Sequence, residues 1–284
     1  MQTIGVIGGS GFYEMDGLSD VREVELDTPF GPPSGPFCIG TLGDRQLVFL
    51  SRHGKGHRLS PSEINYRANV WGMKKVGVQW LISVSAVGSL REQIRPGDLV
   101  VVDQCIDRTH LRPATFFGDG CVGHVSMAEP ICTHLAGHLA DAASRVTQRT
   151  VHRGGTYLCI EGPQFSSRAE SHLYRSWNAD VIGMTNMPEA KLAREASLCY
   201  STLALSTDYD CWHLEEAPVT VELVVSMMKK NVAAAQAAVR ELAAHVPLER
   251  TCACKVALKG AVMSDAKHLA PVVAERLALL LADR

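Results

Sequence analysis

The sequence predicts an α/β fold, a single domain with a central mixed, twisted β-sheet flanked by helices, and three observations carry that expectation. Short apolar runs rich in β-branched residues alternate with longer stretches of helical periodicity. No repeat, low-complexity tract or long Pro/Gly/Ser linker divides the 284 residues. A hydrophobic content of 46% is enough to fill one sizeable core.

In chain order, the candidate strands occupy residues 4–7, 47–50, 80–84, 99–102, 157–160, 181–183 and 202–206. They are short and apolar without regular polar alternation, as strands covered on both faces should be. Helices are predicted over 62–75, 129–146, 167–177, 188–198, 220–244 and 264–281. The first has Ser60 or Ser62 as a cap and Gly77 as its stop. The fifth places Val221, Val224, Val225 and Met228 at helical spacing, which gives it an apolar face. One domain over 1–284 is expected, with residues 246–259 as the candidate hinge into a short C-terminal helix.

Charge and cysteine usage exclude several function classes. The 28 basic and 30 acidic residues give a formal charge of -2, so no global positive field draws a nucleic acid or an anionic membrane. Any phosphate must be held locally. The first residues lack a basic segment followed by an apolar one, and no run of ~18 apolar residues occurs, so the chain reads as soluble and cytoplasmic. Nine cysteines are scattered through apolar segments, which reads as reduced, mostly buried thiols. Cys252-Ala253-Cys254 is too tight for a relaxed bridge and lacks the second ligand pair of a zinc site, so it reads as solvent-exposed, and no metal is expected.

Five segments carry candidate chemistry. Gly8-Gly9-Ser10-Gly11 follows the first strand; it suits either close backbone approach to an anion or a plain chain reversal, and Glu14 breaks a dinucleotide fingerprint. Arg52-His53 follows the second strand, where a guanidinium fork and an imidazole suit an oxyanion, or else form a solvated basic loop. The segment from Ser83 to Leu90 ends a strand in small and hydroxylic residues, which allow close contact with a ligand, or a serine-rich turn. In Glu161-Gly162-Pro163-Gln164-Phe165-Ser166, the phenylalanine can stack on a base or pack in the core. Asp208 and Asp210 end the last long strand, spaced to face the same way if extended geometry persists, or else as two solvated loop acids. His134 and His138 lack the glutamate of a metalloprotease helix and read as surface or packing histidines.

Together these segments resemble the methylthioadenosine phosphorylase branch of the trimeric purine nucleoside phosphorylase family. The likeness runs from about Ile4 to Met228. It also includes Ile-Asn-Tyr-Arg-Ala-Asn from Ile64, Met-Ala-Glu-Pro from Met127 and Gly-Met-Thr from Gly183. The resemblance implies a nucleoside phosphorylase-like fold, a homotrimer, inorganic phosphate as co-substrate and no cofactor. It implies phosphate contacts from Ser10, Arg52, His53, Ser85, the backbone of Ala86, and Thr185. It further implies that Phe165 and Met184 flank the nucleoside and that Asp208 and Asp210 meet the purine. Ser166, Val221, Val224 and Met228 would tune substrate preference, with His124 lent by a neighbouring subunit. Gln164 and Val87 depart from residues common in the family, and the region after Val246 matches poorly. Some hyperthermophilic members carry disulfides, so the state of Cys132, Cys199, Cys252 and Cys254 stays open.

The chemistry so implied is phosphorolysis of S-methyl-5′-thioadenosine through an oxocarbenium-like state, with Asp208 as general acid at N7 and Asp210 accepting from the 6-amino group. The alternatives are a purine nucleoside or methylthioinosine phosphorylase, or a nucleoside-binding sensor without catalysis.

Overall fold

The structure is a computed structural model that describes residues 2–9, 15–213 and 220–282, without the side chains at 223, 224, 228–230 and 266. Its elements in order are β1 (Gln2–Gly8), β2 (Ser19–Val24), β3 (Phe37–Leu42), β4 (Arg45–Ser51), α1 (Tyr66–Lys75), β5 (Val78–Ser89), β6 (Leu99–Val101), β7 (Gln104–Arg108), α2 (Thr133–Val146), β8 (Val151–Arg153), β9 (Thr156–Ile160), α3 (Arg168–Ser176), β10 (Val181–Gly183), α4 (Asn186–Glu195), β11 (Cys199–Asp208), α5 (Val221–His245) and α6 (Pro271–Leu281).

All eleven strands join one mixed sheet, and β5 is where it forks. On one side β5 pairs in parallel with β1, which pairs in parallel with β4 and leads on to the antiparallel β3 and β2. Its other edge pairs in parallel with β11, which continues to β6 and β8. The last two residues of β5 pair antiparallel with β10, which begins a third arm through β9 to β7. The three arms thus divide one long strand, with β1 along its first half, β10 at its last two residues and β11 along most of its length.

Side-chain alternation distributes the strands between two cores. Ile4 and Val6 of β1, Leu47 and Phe49 of β4, Trp80 and Ile82 of β5, and Leu203 and Leu205 of β11 pack with α2 and α5. Ile7, Val48, Leu50, Leu81 and Ala204, one register place away, pack with α1, α4 and α6. The central strands are therefore apolar on both faces, which is why they read as continuous runs. A smaller cluster of Leu90, Leu158, Tyr174, Ile182 and Trp212 seats α3.

Several boundaries differ from expectation for local reasons. The first helix starts at Tyr66 because Asn65, rather than Ser60 or Ser62, accepts from the Ala68 N–H; Gly77 ends it at φ +87. Ser85 to Ser89 form no turn but extend β5, because β10 and β11 both pair with them. The final helix begins only at Pro271, which suits the first helical turn. Residues after 246 are packed: Leu258 is buried, Val273, Leu277 and Leu280 join the α1 core, and Gln2 Nε2 donates to Pro247 O at 2.6 Å.

The cysteine reading needs correction. Cys254 is only 4% exposed and Cys252 is half-buried, and both lie against Cys132 and Cys199. The second pair comes from distant sequence, where spacing could not reveal it.

Candidate active site at the fork of the sheet

The C-terminal half of β5 organises the site. Ser83 and Ser85 are buried, and Gly88 comes so close to β11 that a Cβ there would sit 2.9 Å from Asp208 Oδ1 and 3.3 Å from Asp210 Cβ. Glycine is required for this approach. Three residues at about 3.3 Å of rise separate Ser85 from Gly88, a span of ~10 Å along one strand.

At the Ser85 end, hydroxyls converge from three elements. Ser85 Oγ lies 3.0 Å from the Tyr157 hydroxyl on β9 and 3.3 Å from Thr185 Oγ1, which begins α4. Gly183 is needed beneath them, since a Cβ there would run into the Tyr157 oxygen. Burial raises the Tyr157 hydroxyl's pKa, so the hydroxyl stays protonated as a donor.

Arg52 leaves the end of β4, its backbone N–H donating to Gly8 O at 2.9 Å. The fork expected to face an oxyanion is instead closed on a carboxylate. Nε and Nη2 donate to Glu189 at 2.9 and 3.1 Å, Nη2 also reaches Ile7 O and Ser83 Oγ, and Nη1 donates to Val84 O at 3.1 Å. Arg52 is 2% exposed, and Glu189 is fully buried. Tyr200 donates to Glu189 at 2.9 Å and to Asn186 at 2.7 Å, and Thr202 also donates to Asn186. This network fixes the ends of β1 and β4 and the middle of β5 against α4 and leaves one Nη1 proton for a ligand.

His53 is half-buried, its ring stacked 4.1 Å from that of His57. Its Nδ1 lies 2.8 Å from Leu59 O, which can only accept, so Nδ1 carries the proton and Nε2 is the free acceptor. Burial, helped by the neighbouring Arg52 charge, lowers its pKa to about 4, so the ring is neutral at pH 7.

At the Gly88 end, both carboxylates are buried. Asp208 accepts from Thr207 Oγ1 at 2.6 Å and from the Asp210 N–H at 2.8 Å. The chain turns sharply after it, with Asp210 at φ 52, so extended geometry does not persist through the pair. Burial pushes both carboxyls above their ordinary values.

The loop between β9 and α3 runs across this end. Gly162 packs on Met184, where a Cβ would strike the thioether, and Ser166 O accepts from Cys211 Sγ at 3.2 Å next to Asp210. Between these contacts Phe165 is 45% exposed. Arg112 holds the loop in place: it donates to the backbone oxygens of Met184 at 2.7 Å, Met187 at 2.6 Å and Glu161 at 2.6 Å, and to the Glu161 carboxylate at 3.0 Å. Burial opposes ionisation of Glu161, but donors from Ser62, His110, Leu111 and Arg112 outweigh it and bring the pKa down to about 2.

Arg52, Ser85, Ala86, Thr185, Asp208 and Asp210 thus lie along one stretch of β5, Met184 packs on Gly162, Ser166 borders Asp210, and His53 follows Arg52 with its ring on Leu59 O and His57. Val221, in the first turn of α5, is 62% exposed. His124 is exposed on a loop, its N–H on Ala261 O. Ser10 lies outside the described residues, as do the side chains of Val224 and Met228. Sequence reading missed Glu189, Tyr157, Arg112 and Glu161. Glu189 gave no local signal, since its partner Arg52 lies 137 residues away.

Known proteins match nearly the whole chain. The phosphorylase superfamily matches residues 3–244. The S-methyl-5′-thioadenosine phosphorylase of Geobacter sulfurreducens is 54% identical over 281 residues, covering 99% of this chain and 98% of that protein. A methylthioadenosine phosphorylase from an antarctic soil metagenomic library superposes with a TM-score of 0.94 at 48% identity, covering 98% of each chain. The Schistosoma mansoni methylthioadenosine phosphorylase, solved with adenine, gives 0.84 at 36% identity, covering 100% of this chain and 99% of that one. The chain belongs to the phosphorylase superfamily and, within it, to the S-methyl-5′-thioadenosine phosphorylase family.

Proposed function

We propose that this chain cleaves S-methyl-5′-thioadenosine with inorganic phosphate, releasing adenine and 5-methylthioribose 1-phosphate. The observation that carries the reading is the ~10 Å separation on β5 between the hydroxyl cluster at Ser85 and the buried carboxylate at Gly88. A ribose fits between them, with its anomeric carbon exposed to an anion on one side and to a departing base on the other.

In this reading phosphate sits against the hydroxyls of Ser85, Thr185 and Ser10, the N–H of Ala86 and the remaining Nη1 proton of Arg52. Neutral His53 accepts the O–H of the hydrogen phosphate at Nε2, which orients the other oxygens toward the sugar. Held there, the dianion stabilises positive charge at the anomeric carbon as the glycosidic bond lengthens. Electron density flows onto the purine, whose N7 becomes basic. Asp208, its pKa raised by burial, keeps a larger protonated fraction than an exposed aspartate and delivers a proton or a strong hydrogen bond to N7. Asp210 accepts from the 6-amino group, which favours adenine over a 6-oxopurine.

Phe165 and Met184 cover the nucleoside. In this reading Val221, Val224, Met228 and Ser166 tune the preference for the 5′ substituent. The exposed positions of Phe165, Val221 and His124 in one chain suit a homotrimer in which a neighbour brings His124 to this pocket. No cofactor is required. No described helix is long and apolar enough to cross a membrane, and the reading places the enzyme in the cytoplasm, in purine and methionine salvage.

The test is base release from methylthioadenosine, adenosine, methylthioinosine and inosine with and without phosphate. Phosphate-dependent adenine release, fastest on methylthioadenosine, is the expected result. Release without phosphate, or a preference for the inosine compounds, rejects the reading.

A further inference from the structure

Far from the sugar pocket, four cysteines from three stretches of chain meet on the α2/α5 face of the sheet. Cys132 caps α2, and its backbone N–H donates to Tyr200 O at 2.8 Å, which seats it beside Cys199 at the start of β11. Cys252 and Cys254 come from a short 3₁₀ turn (Ala253–Val256) in the C-terminal segment. All four sulfurs lie within 4.8 Å of one another; Cys252 Sγ is 3.7 Å from Cys132 Sγ and 3.2 Å from Cys199 Sγ.

Three features separate this cluster from ordinary buried thiols. A disulfide gives each sulfur one partner, whereas Cys252 has two near neighbours and the four together enclose a point. Zinc with Zn–S bonds of about 2.3 Å needs sulfurs roughly 3.8 Å apart at the corners of a tetrahedron, the scale found here. The surroundings also suit negative sulfur. The Leu135 N–H in the first turn of the 14-residue α2 donates to Cys132 Sγ at 3.5 Å, and Arg194 Nη1 lies 3.6 Å from Cys254 Sγ.

We propose that Cys132, Cys199, Cys252 and Cys254 bind one zinc ion as a tetrathiolate. Four thiols each lose a proton to solvent as the dication binds, leaving a centre of charge −2 with no change of oxidation state. With four protein ligands it has no open position, so it fastens structure and performs no chemistry on substrate. What it fastens is the segment after Val246, which it ties to the start of α2 and to β11. Softness and geometry favour zinc over magnesium or calcium, which take oxygen ligands.

The experiment uses the full chain, produced in zinc-supplemented medium and purified under reducing conditions, with metal measured by plasma mass spectrometry. About one zinc per chain is expected, falling at least ~10-fold in Cys252→Ser/Cys254→Ser. Because that variant can fail to fold, the unaltered chain is also stripped of metal under reductant and titrated with cobalt(II). Intense tetrahedral d–d and thiolate charge-transfer bands, saturating at one equivalent and displaced by zinc, support the site. Absence of both zinc and cobalt uptake overturns it. So does a native protein whose mass is lower by four hydrogens, with five of its nine thiols reactive after denaturation, since that identifies two disulfides.

Discussion

Two regions of the molecule are built differently. At the Ser85 end, Arg52, Glu189, Tyr200, Asn186 and Thr202 form a closed, buried network whose hydrogen bonds come from this chain alone. By contrast Phe165, on the loop before α3, and Val221, in the first turn of α5, are apolar and 45% and 62% exposed. Charge stabilisation needs donors that do not reorganise during the reaction, and in the proposed function the anion meets this prebuilt end. Discrimination of a 5′ substituent needs apolar surface that substrate itself covers. In the proposed function the buried polar groups along β5, Asp208 included, govern rate, and the exposed apolar residues govern selectivity.

The sharpest way to break it is through Glu189. Glu189→Ala leaves the Arg52 guanidinium buried without its counter-charge, and a loss of about 3–5 kcal/mol in unfolding free energy is expected. Urea titration measures this; a loss below ~1 kcal/mol would mean that the network is not what holds the strand ends. Asp208→Asn should act on turnover instead. It keeps the shape of the side chain and removes the proton, so kcat on methylthioadenosine falls by at least ~100-fold, about 2.7 kcal/mol of barrier. The urea midpoint should stay close to the parent value, and near-normal turnover removes Asp208 from the acid role.

The exposed region is tested by selectivity. Methylthioadenosine should exceed adenosine in kcat/KM by tens to hundreds, the scale that a missing apolar contact supports. Val221→Asn should narrow that ratio roughly tenfold, about 1.4 kcal/mol, while leaving kcat for adenosine nearly unchanged. An equal loss on both substrates would place Val221 away from the 5′ group.

The same contrast governs what the sequence made legible. Strands such as residues 47–50 and 202–206 were readable because both faces are covered, which leaves short runs that are buried throughout and free of charge. Strand β2 was not, being exposed and charged from Ser19 to Val24, with its pairing to β3 setting its conformation. Ser85 to Ser89 stayed open between a strand end near a ligand and a serine-rich turn because small residues admit either state, and only pairing with β10 and β11 decides it. Arg52 was visible as a strand-end cation, yet its partner Glu189 lies 137 residues away, and no local pattern announces so distant a pairing. The four cysteines failed in the same way, since their spacing reveals one pair and only the fold supplies the other.

The smallest expected effect concerns His53, and pH isolates it. Its pKa is about 4 in the folded chain, against roughly 6.5 when unfolded, so between these values the unfolded state binds more protons. The stability that neutral His53 contributes is complete above about pH 6.5 and is lost as pH falls toward 4. From pH 7 to pH 5.5 the loss attributable to this ring is about 1 kcal/mol, and His53→Asn, which cannot titrate, should show a urea midpoint flatter by that amount. Saturating phosphate should leave the parent's slope in place if Nε2 accepts the phosphate O–H. If the ring instead becomes cationic to donate to the anion, its pKa rises on binding and the slope shrinks. Parallel midpoint curves for parent and variant without phosphate would mean that the ring is not held neutral by burial, and that the acceptor role at the anion end is wrong.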